Sequence, residues 1–166
     1  MRAQLLAFTF LAVVNAPYAF AQNAAPAAAM KTFISSSEVT ALVAKAKAER
    51  KEGQANVIEP ILSLAPYRAQ IEYRTLVAPA AVHEKEAELM YVLDGMGMIV
   101  TGGKLANEKR TNAANLSGTS IDNGMPQAIS KGDFIFVPEN TPHQLTPSGG
   151  TLVMITMHVP RPYTAP

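Results

Sequence analysis

The chain contains no cysteine among its 166 residues, and this absence excludes several kinds of site at once. Disulfide bonds, thiolate zinc sites and cysteine nucleophiles all require a cysteine sulfur. Any metal ion bound by this protein must therefore be held by nitrogen and oxygen atoms. A chain of this length predicts one domain that is large enough to bury a core, and a second catalytic domain is not expected.

The chain also lacks an excess of charge of either sign. Lysine and arginine total 14, aspartate and glutamate total 13, and the formal net charge is +1 at pH 7. Nucleic acids and anionic membrane surfaces select proteins with a strongly basic face. We therefore expect no nucleic-acid partner and, once the N-terminal segment has been removed, no membrane partner. Charge alone does not identify a small-molecule ligand.

The N-terminal residues have the pattern of a secretory signal peptide. Arg2 provides the positive start, residues 5–14 form an apolar run, and residues 19–21 match an A-x-A cleavage site. An uncleaved membrane anchor is the alternative, but about 20 apolar residues are needed to span a bilayer. We expect residues 1–21 to be removed, the mature chain to begin at Gln22, and the protein to be periplasmic or secreted.

The next segments predict a leader followed by one helix. Residues 22–35 are rich in alanine and have no sustained period, which is typical of a flexible leader. Apolar residues then recur at helical spacing over residues 36–53. Ser36 or Ser37 provides an N-cap and Gly53 a stop, so this segment predicts an amphipathic helix.

From residue 55 to residue 160 the sequence consists of short β-prone runs separated by proline, glycine and asparagine. Such a series predicts an all-β sandwich or barrel, followed by a C-terminal tail at 161–166. The interval 102–124 is polar and rich in asparagine, which predicts a long exposed loop, either a lid or an insertion. The predicted strands are 57–64, 70–77, 88–93, 97–101, 127–130, 133–137 and 151–159.

The chain has only three histidines, His83, His143 and His158, and the first of them precedes several glutamates. One of these, Glu88, begins an apolar strand, where burial of an unpaired carboxylate costs on the order of several kcal/mol. A cation would offset that cost. A lone histidine is more often structural than a ligand, but these neighbouring glutamates favour a ligand role for His83.

Two motifs in this region resemble those of the cupin superfamily. The first cupin motif contains two histidines separated by one residue, then three or four residues, a glutamate, six residues and a glycine. Here His83 stands at the second histidine position, four residues separate it from Glu88, and six more lead to Gly95. Ala81 occupies the position of the first histidine. Three of the four ligand positions of the family are therefore kept.

The second cupin motif contains a glycine, a proline, a turn residue that is usually glycine, and a histidine. In this chain these positions hold Gly132, Pro138, Asn140 and His143. Asparagine is one of the few residues that tolerate a left-handed turn conformation. The two motifs and their flanking strands extend the resemblance to about residues 55–160.

This resemblance implies an all-β, cupin-type jelly-roll β-barrel, here with one N-terminal amphipathic helix. It implies His83, Glu88 and His143 as ligands of a divalent transition metal, which would be Fe, Mn, Zn, Ni or Cu. Two imidazoles and a carboxylate are also the set used by non-haem iron(II) oxygenases. Two alternatives stay open: Glu84 or Glu86 replaces the missing ligand, or the pocket binds no metal.

The functional hypothesis is a metal-dependent enzyme that acts on a small organic substrate. Its chemistry would be of the isomerase or lyase type, or that of an oxygenase. Tyr73, Glu86 and Tyr91 are the candidate acids or bases, and no spacing argument selects among them. The alternative is a metal-free periplasmic module that binds or senses a small molecule without turnover. A homodimer is expected only because many cupins form one.

His158 lies in the last predicted strand and shares a face with residues 152, 154 and 156. That face could look into the barrel, but an exposed position at the strand end is favoured, so metal binding is expected to be independent of His158. Upstream, Tyr67, Arg68, Tyr73 and Arg74 could anchor an anionic or aromatic ligand.

Overall fold

The computed structural model describes residues 31–161, in which one helix precedes an antiparallel β domain. This architecture confirms the predicted all-β class. The predicted signal peptide, most of the predicted leader and the tail after residue 161 lie outside the described residues. No helix in the described part is long and apolar enough to cross a membrane. The elements are α1 (Ser36–Glu49), β1 (Asn56–Leu64), β2 (Tyr67–Arg74), β3 (Ala80–His83), β4 (Glu86–Thr101), β5 (Lys104–Ala106), β6 (Lys109–Asn112), β7 (Asn115–Gly118), β8 (Ser120–Asp122), β9 (Met125–Ser130), β10 (Phe134–Val137) and β11 (His143–Pro160).

Helix α1 begins at residue 36, as predicted, but its N-cap lies one residue earlier than predicted and forms a capping box. Ser35 is the N-cap: its hydroxyl accepts a hydrogen bond from the backbone N–H of Glu38, whose carboxylate accepts one from the backbone N–H of Ser35. Neither Ser36 nor Ser37 takes this role. The helix ends at Glu49, and Gly53, with a φ of 75°, lies beyond it. The predicted helix 36–53 is therefore too long at its C-terminal end.

The domain is built on two long, paired strands, β4 and β11. Strand β4 joins the two predicted strands 88–93 and 97–101, and β11 begins at residue 143 instead of 151. They pair antiparallel along most of their length. The main sheet runs in the order β1-β2-β11-β3-β7-β6, while β9 and β10 pair with β4.

Two hydrophobic clusters lie on opposite faces of the long strands. Because successive strand residues point to opposite faces, β11 contributes Leu152 and Met154 to an inner cluster and Val153 to an outer one. Helix α1 covers the outer cluster and buries Ala46 there completely. The other inner residues are Met90, Val92, Ile99, Ile129, Val137 and Leu145, and the other outer ones are Val57, Ile61, Ala69, Ile71 and Tyr73.

The interval 102–124 is not the long loop that its composition predicts. It contains the short strands β5 to β8, and β7 pairs with β3 so that Asn115 lies opposite His83. Asn107 and Asn123 adopt positive φ angles of 50° and 56°, a conformation that asparagine tolerates better than most residues. The asparagines that suggested a loop therefore include turn residues between strands.

The glycines of the two motifs provide a test of this packing. Both have positive φ, 83° at Gly95 and 94° at Gly132. A Cβ atom added at Gly95 would lie 2.0 Å from the Thr151 carbonyl oxygen, whereas a Cβ atom added at Gly132 would have no atom within 4 Å. Gly132→Ala is expected to lower the free energy of unfolding by about 1–2 kcal/mol through the backbone conformation alone. Gly95→Ala should cost at least about 1–3 kcal/mol more because of the overlap. Urea unfolding of both variants measures the difference, and equal losses would contradict the close β4–β11 contact.

Candidate metal centre

The site is assembled around Glu88, which β4 carries on the inner face of the domain. The pairing of β4 with β11 places His158 directly opposite Glu88. His83 is the last residue of β3 and His143 is the first residue of β11, where it pairs with Ala81. Three strands thus bring one carboxylate and three imidazoles together.

All three histidines approach the carboxylate of Glu88 with Nε2. Oε2 of Glu88 lies 3.1 Å from His143 Nε2 and 3.4 Å from His83 Nε2. Oε1 lies 3.7 Å from His158 Nε2. Glu88 is only 3% exposed. Burial opposes its ionisation, but hydrogen bonds with His143 and then His83 outweigh burial and lower the pKa of Glu88 well below its ordinary value.

The far sides of two imidazole rings are fixed by oxygen acceptors. His83 Nδ1 lies 2.8 Å from Asn115 Oδ1, and His143 Nδ1 lies 3.1 Å from the Thr141 carbonyl oxygen. Because these oxygens only accept, each Nδ1 carries a proton and donates it. In a neutral ring, Nε2 then directs a lone pair at Glu88. Such an arrangement is repulsive unless a proton or a metal ion lies between the nitrogen and the carboxylate.

The pKa of His83 reflects both its burial and the nearby carboxylates. Burial lowers its pKa, but the hydrogen bonds with Glu88 and Asn115 and the charges of Glu88 and Glu86 raise it by more. The pKa of His83 is therefore above its ordinary value. Positive charge is stabilised at its position, whether it is carried by a proton or by a cation.

His158 belongs to this group, which corrects the prediction of an exposed strand end. It is 4% exposed because β11 continues to Pro160 and is paired on both sides, with β2 and with β4. Burial is the main cause that lowers the pKa of His158. Its Nδ1 lies 2.9 Å from Glu86 Oε1, but without the alignment of a hydrogen bond, so within residues 31–161 this buried nitrogen has no hydrogen-bond partner.

His83, Glu88 and His158 form a group that is compact enough to share an ion. Each of the three offers a ligand atom, and these atoms lie within 4.8 Å of one another. The predicted set contained His143 in place of His158, and His143 also contacts Glu88. The structure thus brings the three predicted ligands together and adds a fourth donor, while the assignment of the ligands stays a prediction.

The three predicted acid or base residues lie in different places. Glu86 contacts His158 and lies 4.0 Å from His83 Nδ1. Tyr73 is buried in the outer cluster beneath α1, and Tyr91 is 42% exposed on the outer face of β4. The structure therefore brings Glu86 to the histidines but neither tyrosine.

The histidines and Glu88 line a cavity of about 370 Å³ that extends along the inner face of β2. The sequence-based prediction missed Glu72, a carboxylate in this cavity that is 3% exposed. It accepts hydrogen bonds from Arg74 Nε at 2.8 Å, Gln70 Nε2 at 2.9 Å and Asn56 Nδ2 at 3.2 Å. The signal was the alternation of polar residues at positions 68, 70, 72 and 74.

A larger cavity, of about 730 Å³, lies elsewhere on the domain and includes residues 77–79 and Gln144 in its lining. Its described lining contains hydroxyl and amide groups and one lysine, but no histidine or carboxylate. By volume alone, this cavity would be the candidate functional site. The side chains that can bind a metal or move a proton, however, line the smaller cavity. We assign the candidate site to the smaller cavity because function depends on those groups.

No family model matches this chain, and no curated protein sequence matches it. Solved structures do. A protein with a double-stranded β-helix domain from Klebsiella pneumoniae aligns with 14% identity and a TM-score of 0.54, covering 78% of this chain and 90% of that one. The Cnp3 cupin domain of Schizosaccharomyces pombe aligns with 10% identity, a TM-score of 0.50 and coverages of 69% and 72%. The iron(II) form of HppE aligns with 16% identity and a TM-score of 0.51, covering 66% of this chain and 53% of that one. At these identities the likeness shows the fold alone.

The Asn115 contact with His83 generates a prediction. Asn115→Ala removes the acceptor of His83 Nδ1, so the ring loses its fixed orientation and tautomer. Loss of a hydrogen-bond partner of a metal-binding histidine typically lowers metal affinity by about 10–100-fold. We expect a loss of affinity for added Zn²⁺ in that range. Competition with a chelating dye measures this affinity. Asn107→Ala, in the same interval but bonded to Thr119, is the control. Equal affinities of the two variants would contradict the role of Asn115.

Proposed function

We propose that this chain, which has the double-stranded β-helix fold of the cupins, is a metal-dependent enzyme that acts on a small organic substrate. The predicted cupin-type barrel is confirmed by the solved structures of that fold. The observation that carries the proposal is the convergence of three imidazole Nε2 atoms on the buried Glu88 carboxylate. Nitrogen and oxygen donors in this combination suit Fe, Mn, Zn, Ni or Cu.

The donor chemistry of the site supports a divalent ion. His83 and His143 direct Nε2 towards Glu88 with Nδ1 already hydrogen-bonded, which is the arrangement of metal-bound histidines. When bound, a divalent transition metal polarises a substrate oxygen as a Lewis acid or supports dioxygen chemistry. HppE with iron(II) is a protein of similar fold that contains such a metal. His83, Glu88, His143 and His158 would hold the ion.

In this proposal His158 supplies the donor that the first motif lacks at Ala81. Ala81 lines the same cavity as His158 and pairs with His143. The other two candidates for the missing ligand fit less well. Glu84 is engaged by both terminal nitrogens of Arg110, at 2.6 and 3.0 Å, and Glu86 contacts the Nδ1 side of His158, which suits a group that orients the ring.

Elemental analysis of protein purified without chelators tests the proposal. One equivalent of a transition metal per chain is expected, and its removal should lower the thermal midpoint because an ion bound only by the folded state stabilises that state. A metal content reproducibly near zero, with no affinity for added Fe²⁺, Mn²⁺ or Zn²⁺, would contradict the proposal that the protein is a metal-dependent enzyme. It would favour the metal-free binding or sensing module.

A separate experiment tests whether His158 is the fourth donor to the metal. His158→Ala is expected to weaken Zn²⁺ binding by about tenfold or more, since one protein ligand is lost. Adding Ala81→His to this variant should restore much of the affinity, because position 81 faces the same cavity. The double variant serves as the control for folding. If His158→Ala binds Zn²⁺ like the wild type, His158 is not a ligand.

We further propose that the protein is exported to the periplasm or beyond. The support is the N-terminal series of Arg2, the apolar run 5–14 and the A-x-A sequence at 19–21. N-terminal sequencing of protein from the periplasmic or culture fraction of a bacterial expression host should give Gln22 as the first residue. A soluble protein that retains Met1 would contradict export.

A further inference from the structure

We infer that the substrate is a small organic anion and that Arg68 binds its charged group, an inference that rests on the proposed function. Arg68 lies on β2 directly opposite His158. It lines the same cavity as His83, Glu88 and His143. A guanidinium is therefore available to a molecule bound beside the histidines.

Most of the hydrogen-bonding capacity of Arg68 is unused by the protein. A guanidinium has five N–H donors in a planar fork. In the described residues Arg68 contacts one acceptor, Glu86, through Nη2, and its side chain is 48% exposed. The Nε and Nη1 donors have no protein acceptor among the described side chains of residues 31–62 and 65–161. Nη2 carries a second N–H, so one edge of the guanidinium, formed by Nη2 with either Nε or Nη1, remains available for the two oxygens of a carboxylate.

The other arginine of the cavity has a different role. Arg74 is 13% exposed and binds the buried Glu72 through Nε at 2.8 Å. It lies six residues from Arg68 along β2, which corresponds to about 20 Å of extended strand. A small molecule beside His158 can therefore reach Arg68 but not Arg74. Arg74 neutralises Glu72, while Arg68 remains available to a ligand.

The charge around the cavity makes the preference for an anion depend on the metal. With neutral histidines, two arginines and the carboxylates of Glu72, Glu86 and Glu88 give the region a charge of −1, which disfavours an anion. A divalent ion changes the sign to +1. A monoanion then neutralises the site. The cavity volume of about 370 Å³ lies near the lower end of small-molecule sites.

The substrate class follows from these positions. It would carry a carboxylate for Arg68 and, a few bonds away, an oxygen that faces the Nε2 atoms of the histidines. Hydroxy and oxo acids have this arrangement. Neutral sugars and hydrocarbons lack the charged group and would leave Arg68 unpaired at the cavity.

The test uses Zn²⁺-loaded protein and a simple probe, 3-hydroxybutyrate, with 3-hydroxybutyramide as its uncharged counterpart. Binding is followed by NMR titration of the wild type, of Arg68→Gln and of Lys109→Gln, an exposed cation that lines the larger cavity. The acid should bind the wild type at least about tenfold more tightly than the amide, since charge-assisted hydrogen bonds are worth more than neutral ones. Arg68→Gln should lose about tenfold in affinity for the acid, and Lys109→Gln should match the wild type.

The outcomes separate this inference from the proposed function. If the protein binds no Zn²⁺, the proposed function fails and the inference with it. If Zn²⁺ binds normally but acid and amide bind equally, or Arg68→Gln binds the acid like the wild type, only the inference is overturned. It is overturned in the same way if Arg68→Gln weakens Zn²⁺ binding while the Zn²⁺-saturated variant keeps its affinity for the acid. Arg68 would then position Glu86 and His158 instead of binding substrate.

Discussion

The burial of the Glu88 carboxylate is the constraint on which the site depends. A carboxylate that is 3% exposed must be compensated by opposite charge and hydrogen bonds, because an unpaired buried charge is strongly destabilising. The compensation comes from His83 at the end of β3 and from His143 and His158 on β11. Their imidazoles can bear protons or share a cation with Glu88. The same requirement therefore links the stability of the barrel end to its capacity for metal.

The compensation requires that β11 curve round the domain. His143 and His158 lie near the two ends of this strand, 15 positions apart, and a fully extended strand of that length would span about 50 Å. Both nevertheless approach Glu88 with Nε2. The register of β11 against β4 shifts between Ser148 and Leu152, where Gly149 and Gly150 adopt positive φ. These two glycines therefore lie at the register shift between the histidines, where the backbone conformation favours glycine.

The sequence predicted the parts of the site that depend on local spacing. His83 and Glu88 lie in one strand-turn-strand unit, and Asn140 adopts the predicted left-handed conformation, with a φ of 59°, just before His143. The parts that depend on pairing between distant strands were not accessible. The alternation along the last strand identified the face that carries His158, but its burial follows from pairing with Arg68 and Glu88. Asn115 was missed because a polar interval gives no sign that one of its short strands pairs with β3.

Ala81 and His158 line the same cavity from different strands, and this is the geometric basis of the proposed fourth donor. A donor is needed at a position in space around Glu88, and more than one strand has a residue that faces this position. In the proposed site, a histidine on β11 therefore takes the place of one on β3. The substitution also changes the cavity: a small side chain remains at position 81, and the space it leaves adjoins the polar face of β2. If His158 is the fourth ligand, as proposed, the small side chain at position 81 leaves this side of the cavity to a substrate that contacts the ion and Arg68.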